Sequence, residues 1–304
     1  MSEMEISESP QPLTMRIDWR QWVQSLVVLF KLRVVSLLLL AAVGGAFLGA
    51  RGWPGLGTLL LVVVTGGMSA AGASALNQYL ERHQDMKMSR TRSRPLVTGL
   101  IARPHTVLIV GLTLIALPTL AVLPFNPALS FYLALGALIY VGVYTIWLKP
   151  RTLLNIVIGG GAGSAAVMCG GAAAHAPNDV AVIILALLVF LWTPTHFWSL
   201  ALLYRQDYQK ASFPMLPAQV TPRQSALWVM VHTVPTGMAT IGLILTPGLG
   251  WLYGLLATGL TIELLYRNIR LIAAPTPKHA RRLFMSSNYY LMAVLLLICL
   301  DVII

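Results

Sequence analysis

Asn77-Gln-Tyr-Leu-Glu81-Arg-His-Gln-Asp85-Met-Lys-Met-Ser-Arg90-Thr-Arg-Ser-Arg94-Pro95 closes an apolar run that begins near residue 55, and the next apolar run opens at 104. A run of about 20 apolar residues is long enough to cross a bilayer as a helix. The segment that follows holds what such a run lacks, acids and a block of arginines. The same unit recurs along the chain. Apolar runs lie at 25–50, 55–80, 104–123, 128–147, 153–174, 181–203, 225–246, 249–271 and 284–304, each ended by a polar connection. The pattern predicts an all-α, polytopic integral membrane protein with nine transmembrane helices in one bundle. Pro118, Pro194 and Pro235 fall inside runs, where membrane helices tolerate them because neighbours re-satisfy the freed backbone groups.

Composition agrees. Of 304 residues, 57% are hydrophobic and 10% charged, whereas a soluble domain carries about 25% charged residues. Mean hydropathy is +0.75. Disordered, fibrous and ordinary soluble classes are thereby excluded. Residues 1–20 read as a polar cytoplasmic tail and 21–304 as the transmembrane domain. The tail is acidic and has no apolar core, which predicts that no cleavable signal peptide is present. Cys169 and Cys299 lie in apolar runs without a CxxC pair and read as core filler.

The net charge of +11 would suggest nucleic acid on a soluble chain. Here it reports sidedness. With nine spans, 20 of the 21 Lys and Arg residues fall on one side and only Arg51 on the other. One span more or fewer would flip every later loop. The positive-inside rule then places the N-terminus in the cytoplasm and the C-terminus outside. The inner loops also hold most of the ionisable chemistry, so function is expected at the cytoplasmic face, with the lipid bilayer as surroundings and no nucleic acid as partner.

Asn77, Glu81 and Asp85 are spaced four apart, which puts them on one helix face over about two turns. Oxygen-bearing side chains in that pattern suit Mg²⁺, which prefers oxygen ligands and shares its shell with substrate phosphates. Arg90 and Arg94 follow, and their planar forks suit phosphate oxygens. The bland reading is a helix end whose charges are solvated among headgroups. Asp207, after the sixth run, stands as Asp85 does after the second, which suggests a pseudo-repeat. Two facing acidic sites could clamp a diphosphate through Mg²⁺, with basic groups stabilising it as a leaving group. Lys149, Arg151 and Arg205 lie at the same level. His196, eleven residues before Asp207, is either a hydrogen-bonded packing residue or an intramembrane functional group. Its neighbours Trp192, Phe197 and Trp198 flank a flat ligand or form an interfacial belt. Gly159 and Gly163 form a GxxxG pair, read as a helix-packing site. His232 and Glu263 receive no role.

The string Asn77-x3-Glu81-x3-Asp85-x2-Met88-x-Arg90-Thr91-x2-Arg94-Pro95-Leu96 resembles the first aspartate-rich motif of the UbiA-type intramembrane prenyltransferases. Its continuation is similar to the protohaem IX farnesyltransferase branch. Lys31-Leu-Arg33, Tyr144-Thr-x-x-Leu-Lys149, Asn155-Ile-Val-Ile-Gly-Gly160, Trp192-Thr-Pro-Thr-His196-Phe-Trp198, Asp207-Tyr208 and Pro214-Met-Leu-Pro217 resemble further stretches of that branch. Glu81 stands where many members have Asp, Thr195 where a second Pro is usual, and Ala165-Ala-Val-Met-Cys-Gly170 where a Pro-Pro often occurs. These departures leave the diphosphate half intact and fall mainly on the acceptor side.

The resemblance implies a transmembrane prenyltransferase domain, a nine-helix bundle whose cavity opens toward the cytoplasmic side, with Mg²⁺ as cofactor and farnesyl diphosphate and haem b as substrates. The product would be haem O, for haem–copper oxidases. Asn77, Glu81, Asp85 and Asp207 would hold metal; Arg90, Arg94, Lys149, Arg151 and Arg205 the diphosphate; His196 and Tyr208 the haem or a proton. Haem A synthase or a terminal oxidase assembly would be the partner, in the plasma (inner) membrane of a bacterium. A prenyltransferase acting on an aromatic quinone precursor is the first rival. A transporter coupled through Asp85, Asp207 and Glu263 is the second, although the acids cluster at one interface rather than at the midplane.

Overall fold

The computed structural model describes residues 19–304, and all regular structure among them is helical. The expected tail lies outside the described residues except Trp19 and Arg20, which begin a helix. The first apolar run divides into α1 (Trp19–Leu29) and α2 (Leu32–Ala50). Lys31, at the break, adopts a left-handed backbone (φ 47°), a conformation that non-glycine residues seldom take. Gln78 stabilises the break from α3 (Leu56–Asp85): its Nε2 donates to Val28 O at 2.7 Å and Leu29 O at 2.9 Å. These carbonyls end a helix and have no partner within it.

Then follow α4 (Pro104–Val122), α5 (Pro127–Ala137) running on as a π-helix over Leu138–Leu148, α6 (Asn155–Gly159) and α7 (Gly161–Ala173). Next come α8 (Val180–Leu203), the short α9 (Arg205–Lys210) and α10 (Leu216–Gln219), α11 (Pro222–Gly242), α12 (Trp251–Ala273) and α13 (Pro277–Asp301). Proline opens α4, α5, α11 and α13, where its missing N–H costs nothing. Among the described residues, eight helices or helix pairs are long and apolar enough to cross a membrane. The remaining run folds as α12, 23 residues long, but Glu263, Arg267 and Arg270 leave it less apolar. Leu112, Leu120, Leu138, Trp147, Met238 and Ile262 are among the large side chains exposed on the outside, an apolar surface that suits contact with lipid. The protein is an integral membrane protein.

Two packing features differ from expectation. Gly159 and Gly163 do not share a seam, because the helix breaks at Gly160. A side chain at 159 would meet the Tyr144 ring, and one at 163 would meet Val189. The tightest helix approach is instead α2 on α7, where a Cβ at Gly170 would strike the Ala42 carbonyl and one at Gly45 the Val167 carbonyl. Trp192 and Trp198 are buried in the core and are not an interfacial belt. Both cysteines are free thiols, Cys169 buried and Cys299 half-buried.

The length of α3 positions the site. Its 30 residues span about 45 Å, against a hydrocarbon thickness of about 30 Å. The last two turns therefore extend toward the polar end of the bundle. The opposite end is closed by plainer contacts, such as the exposed Arg51–Asp179 pair at 2.9 Å, of a kind that adds little stability.

Candidate active site

Asn77, Glu81 and Asp85 share one face of α3 and are 2%, 6% and 3% exposed. Buried carboxylates cost several kcal/mol each unless cations meet them. Lys149 Nζ donates to Glu81 Oε1 at 2.5 Å and Arg94 Nη1 to Asp85 Oδ2 at 2.5 Å. Lys31 Nζ donates to Asn77 Oδ1 at 2.7 Å and to Tyr140 Oη at 2.9 Å. Asn77 Nδ2 in turn donates to Thr145 Oγ1 at 3.0 Å. The ladder read from the sequence is thus a row of oxygen ligands, each facing one cation.

Each cation arrives by its own local device. Lys31 is placed by the α1–α2 break. Lys149 is placed by the π-helix, whose wider turn closes with Lys149 N donating to Tyr144 O at 2.8 Å. That spacing brings residues four and five apart to one side, so Tyr140, Tyr144 and Lys149 line up. The two tyrosine rings stack at 5.8 Å, and the Lys149 ammonium lies 4.7 Å from the Phe213 ring centroid, a favourable cation–π distance. π-Helical turns are rare and occur frequently at functional sites. Arg94 is placed by a turn-rich connection that folds back on α3. Thr91, 1% exposed, pins it by donating from Oγ1 to Asp85 O at 3.1 Å.

Asp207 lies on α9 and is buried, as is Tyr208 beside it. Ser89 Oγ donates to Asp207 Oδ2 at 2.5 Å, and the Arg90 guanidinium lies 5.8 Å from the Tyr204 ring centroid. The α3–α4 and α8–α11 connections therefore meet, one carrying Asp85 and the other Asp207. Asn155, fully buried at the start of α6, donates from Nδ2 to Thr152 O at 2.6 Å and to Pro214 O at 3.3 Å, which joins two of the stretches noted in the sequence. Two expected anion ligands are spent differently. Arg151 is exposed and donates to Ile146 O and Trp147 O, closing the π-helix. Arg205 donates to Val220 O at 3.1 Å.

His196 occupies a separate, neutral seat on α8. Its ring stacks on Trp192 at 4.5 Å and 18°, and Nδ1 lies 3.2 Å from Ser287 Oγ of α13. His232 meets Trp198 edge-on at 5.2 Å. Glu263 pairs with Arg267 at the exposed surface, a poor position for a coupling group.

The donor set fits Mg²⁺. All the ligating atoms are oxygens, and each carboxylate has one oxygen bonded and one remaining. Among the described residues no three His, Cys, Asp or Glu side chains form a ready cage. Mg²⁺ commonly needs none, since it binds through one or two carboxylates with water and substrate phosphate. Burial, followed by the charge of Arg94, lowers Lys31 from 10.5 to about 7, so this cation is held at a desolvation cost that an arriving anion would offset. Lys31, Ser89, Tyr140, Thr145 and Phe213 are site residues that spacing did not single out. Lys31 and Thr145 do lie inside stretches that carried the resemblance.

The chain belongs to the UbiA prenyltransferase family, whose model matches residues 37–294. It is therefore a membrane prenyltransferase. It is 41% identical over 272 residues to the protoheme IX farnesyltransferase of Metallosphaera sedula, covering 90% of this chain and 94% of that one. To the protoheme IX farnesyltransferase of Saccharolobus islandicus it is 42% identical over 282 residues, covering 91% and 96%. Its fold is that of a solved digeranylgeranylglyceryl phosphate synthase, with TM-score 0.74, 18% identity and coverage of 92% and 98%. A UbiA homolog from Archaeoglobus fulgidus, solved with DMAPP and Mg²⁺, gives TM-score 0.64 at 16% identity, with coverage of 89% and 99%.

Proposed function

We propose that this chain transfers the farnesyl group of farnesyl diphosphate to a vinyl group of haem b, with addition of water, and so makes haem O for haem–copper oxidases. The observation that carries the diphosphate half is the row Asn77, Glu81 and Asp85, each facing a buried or half-buried cation. The acceptor follows the relatives named protoheme IX farnesyltransferase, whose identity of 41–42% extends over about nine-tenths of the chain.

Asn77, Glu81, Asp85 and Asp207 would hold Mg²⁺, which when bound supplies positive charge to the diphosphate oxygens. Arg90, Arg94 and Lys149 bind the diphosphate and stabilise the charge that develops as the carbon–oxygen bond breaks. Arg151 and Arg205, already held by carbonyls, add positive potential at that end. The allylic carbon bonds to the terminal vinyl carbon. Positive charge then rests on the vinyl carbon next to the macrocycle, water adds there, and a proton leaves. His196 and Tyr208 place the haem or take that proton.

The nine runs span a plasma (inner) membrane with the N-terminus and the cavity on the cytoplasmic side, a reading supported by the 20 cations of that face. A haem A synthase or oxidase assembly would consume the product. The test is direct: purified protein in nanodiscs with haem b, farnesyl diphosphate and Mg²⁺ should yield a haem heavier by a farnesyl group plus a hydroxyl. Unchanged haem, together with prenylation of a phenolic acid, would sink the reading.

A further inference from the structure

His196 has a partner that no sequence motif marks. Ser287 of α13 is fully buried, and its Oγ contacts two groups: the Phe284 carbonyl oxygen at 2.8 Å and His196 Nδ1 at 3.2 Å. A carbonyl oxygen only accepts. Two oxygens 2.8 Å apart must therefore share a hydrogen, and the Ser287 hydroxyl is the sole source of it. That hydroxyl has no second hydrogen to give. What faces His196 Nδ1 is a lone pair, so the neutral imidazole, which meets no carboxylate among the described residues, donates from Nδ1 and leaves Nε2 unprotonated. The ring is also fixed in angle. Trp192 stacks on it at 4.5 Å while its own Nε1 donates to Ser287 O at 2.8 Å, and Phe284 packs against it at 4.7 Å. One residue of α13 thus holds both the histidine and the ring that stacks on it.

We propose that Ser287 is a positioning residue that locks His196 in the Nδ1–H form and keeps the Nε2 lone pair available to the acceptor substrate. The use of that lone pair, for the proton of the added water or for the iron of the porphyrin, rests on the haem reading above. The lock does not.

The test keeps the two apart. Protein labelled with ¹⁵N-histidine in nanodiscs should show His196, assigned by its loss in His196→Gln, with a protonated Nδ1 and an unprotonated Nε2. Ser287→Ala leaves the 287 carbonyl for Trp192 and should lose that pattern, whereas Ser287→Thr, which keeps a hydroxyl, should retain it. With haem b as acceptor, Ser287→Ala should lower kcat about tenfold or more, the scale of effects seen when the partner of a functional histidine is removed. The KM for farnesyl diphosphate should not change, and Ser287→Thr should recover most of the rate. A protonated Nε2 in the wild type, or a Ser287→Ala spectrum identical to wild type, overturns the lock. A lost lock with unchanged kcat overturns the positioning role. Wild-type activity on a phenolic acid and none on haem b would instead defeat the haem reading and leave the spectroscopic result standing.

Discussion

Two buried polar regions of this bundle handle their hydrogen bonds in opposite ways. At the end formed by α3, the π-helix and the α8–α11 connection, buried acids face a lysine and an arginine. Around α8, α11 and α13 the polar groups are neutral, and most hydroxyls give their hydrogen to a carbonyl four residues earlier. Ser199, Thr233, Thr236 and Thr240 all do so. The first arrangement is exchangeable, because an ion pair can be released when a metal takes the acid and a phosphate takes the base. The second is closed, because a hydroxyl spent on its own helix has nothing to trade. Diphosphate chemistry needs the first kind of region, and the apolar face of a flat acceptor suits the second.

The comparison can be broken by substitution. Asp85→Asn and Asp207→Asn should each lower kcat by about 10³-fold, measured by haem product mass, while the extracted protein stays folded by thermal unfolding. Full activity in both would remove the charged end from the chemistry. Lys149→Met leaves Glu81 buried without its cation and should cost about 3–5 kcal/mol of stability. Adding Glu81→Gln should restore most of that stability but not turnover, which separates the two roles of the pair. Lys31→Met should behave differently, since its partners Asn77 and Tyr140 are neutral. Its removal strands no charge, so stability should hold while KM for farnesyl diphosphate rises about tenfold, or about 1.4 kcal/mol. The smallest effect belongs to the neutral half. Thr240→Val removes a 2.5 Å contact with Tyr290 and should cost about 1 kcal/mol with kcat unchanged.

The acid ladder was legible because spacing of four on a helix is a local property, and α3 continues through Asp85 as that spacing requires. Lys31 was not read as a site residue, because its reach to Asn77 depends on a left-handed kink that Gln78 caps from another helix. The π-helix was hidden in a run whose composition suits any buried helix. Arg151 and Arg205 have the right charge and level, and only contacts reveal that carbonyls hold them. Ser287 sits in a final span that carries no motif, and its contact with His196 emerges only when α13 packs on α8.

The central claim is that the acids and cations of the charged end are released together, metal to one and diphosphate to the other. Calorimetric titration of Mg²⁺ in nanodiscs, with and without inorganic diphosphate, tests it most directly. Diphosphate should tighten Mg²⁺ binding about tenfold or more, and Mg²⁺ should tighten diphosphate binding by the same factor, as linkage requires. Equal Mg²⁺ affinity in the two titrations would contradict it.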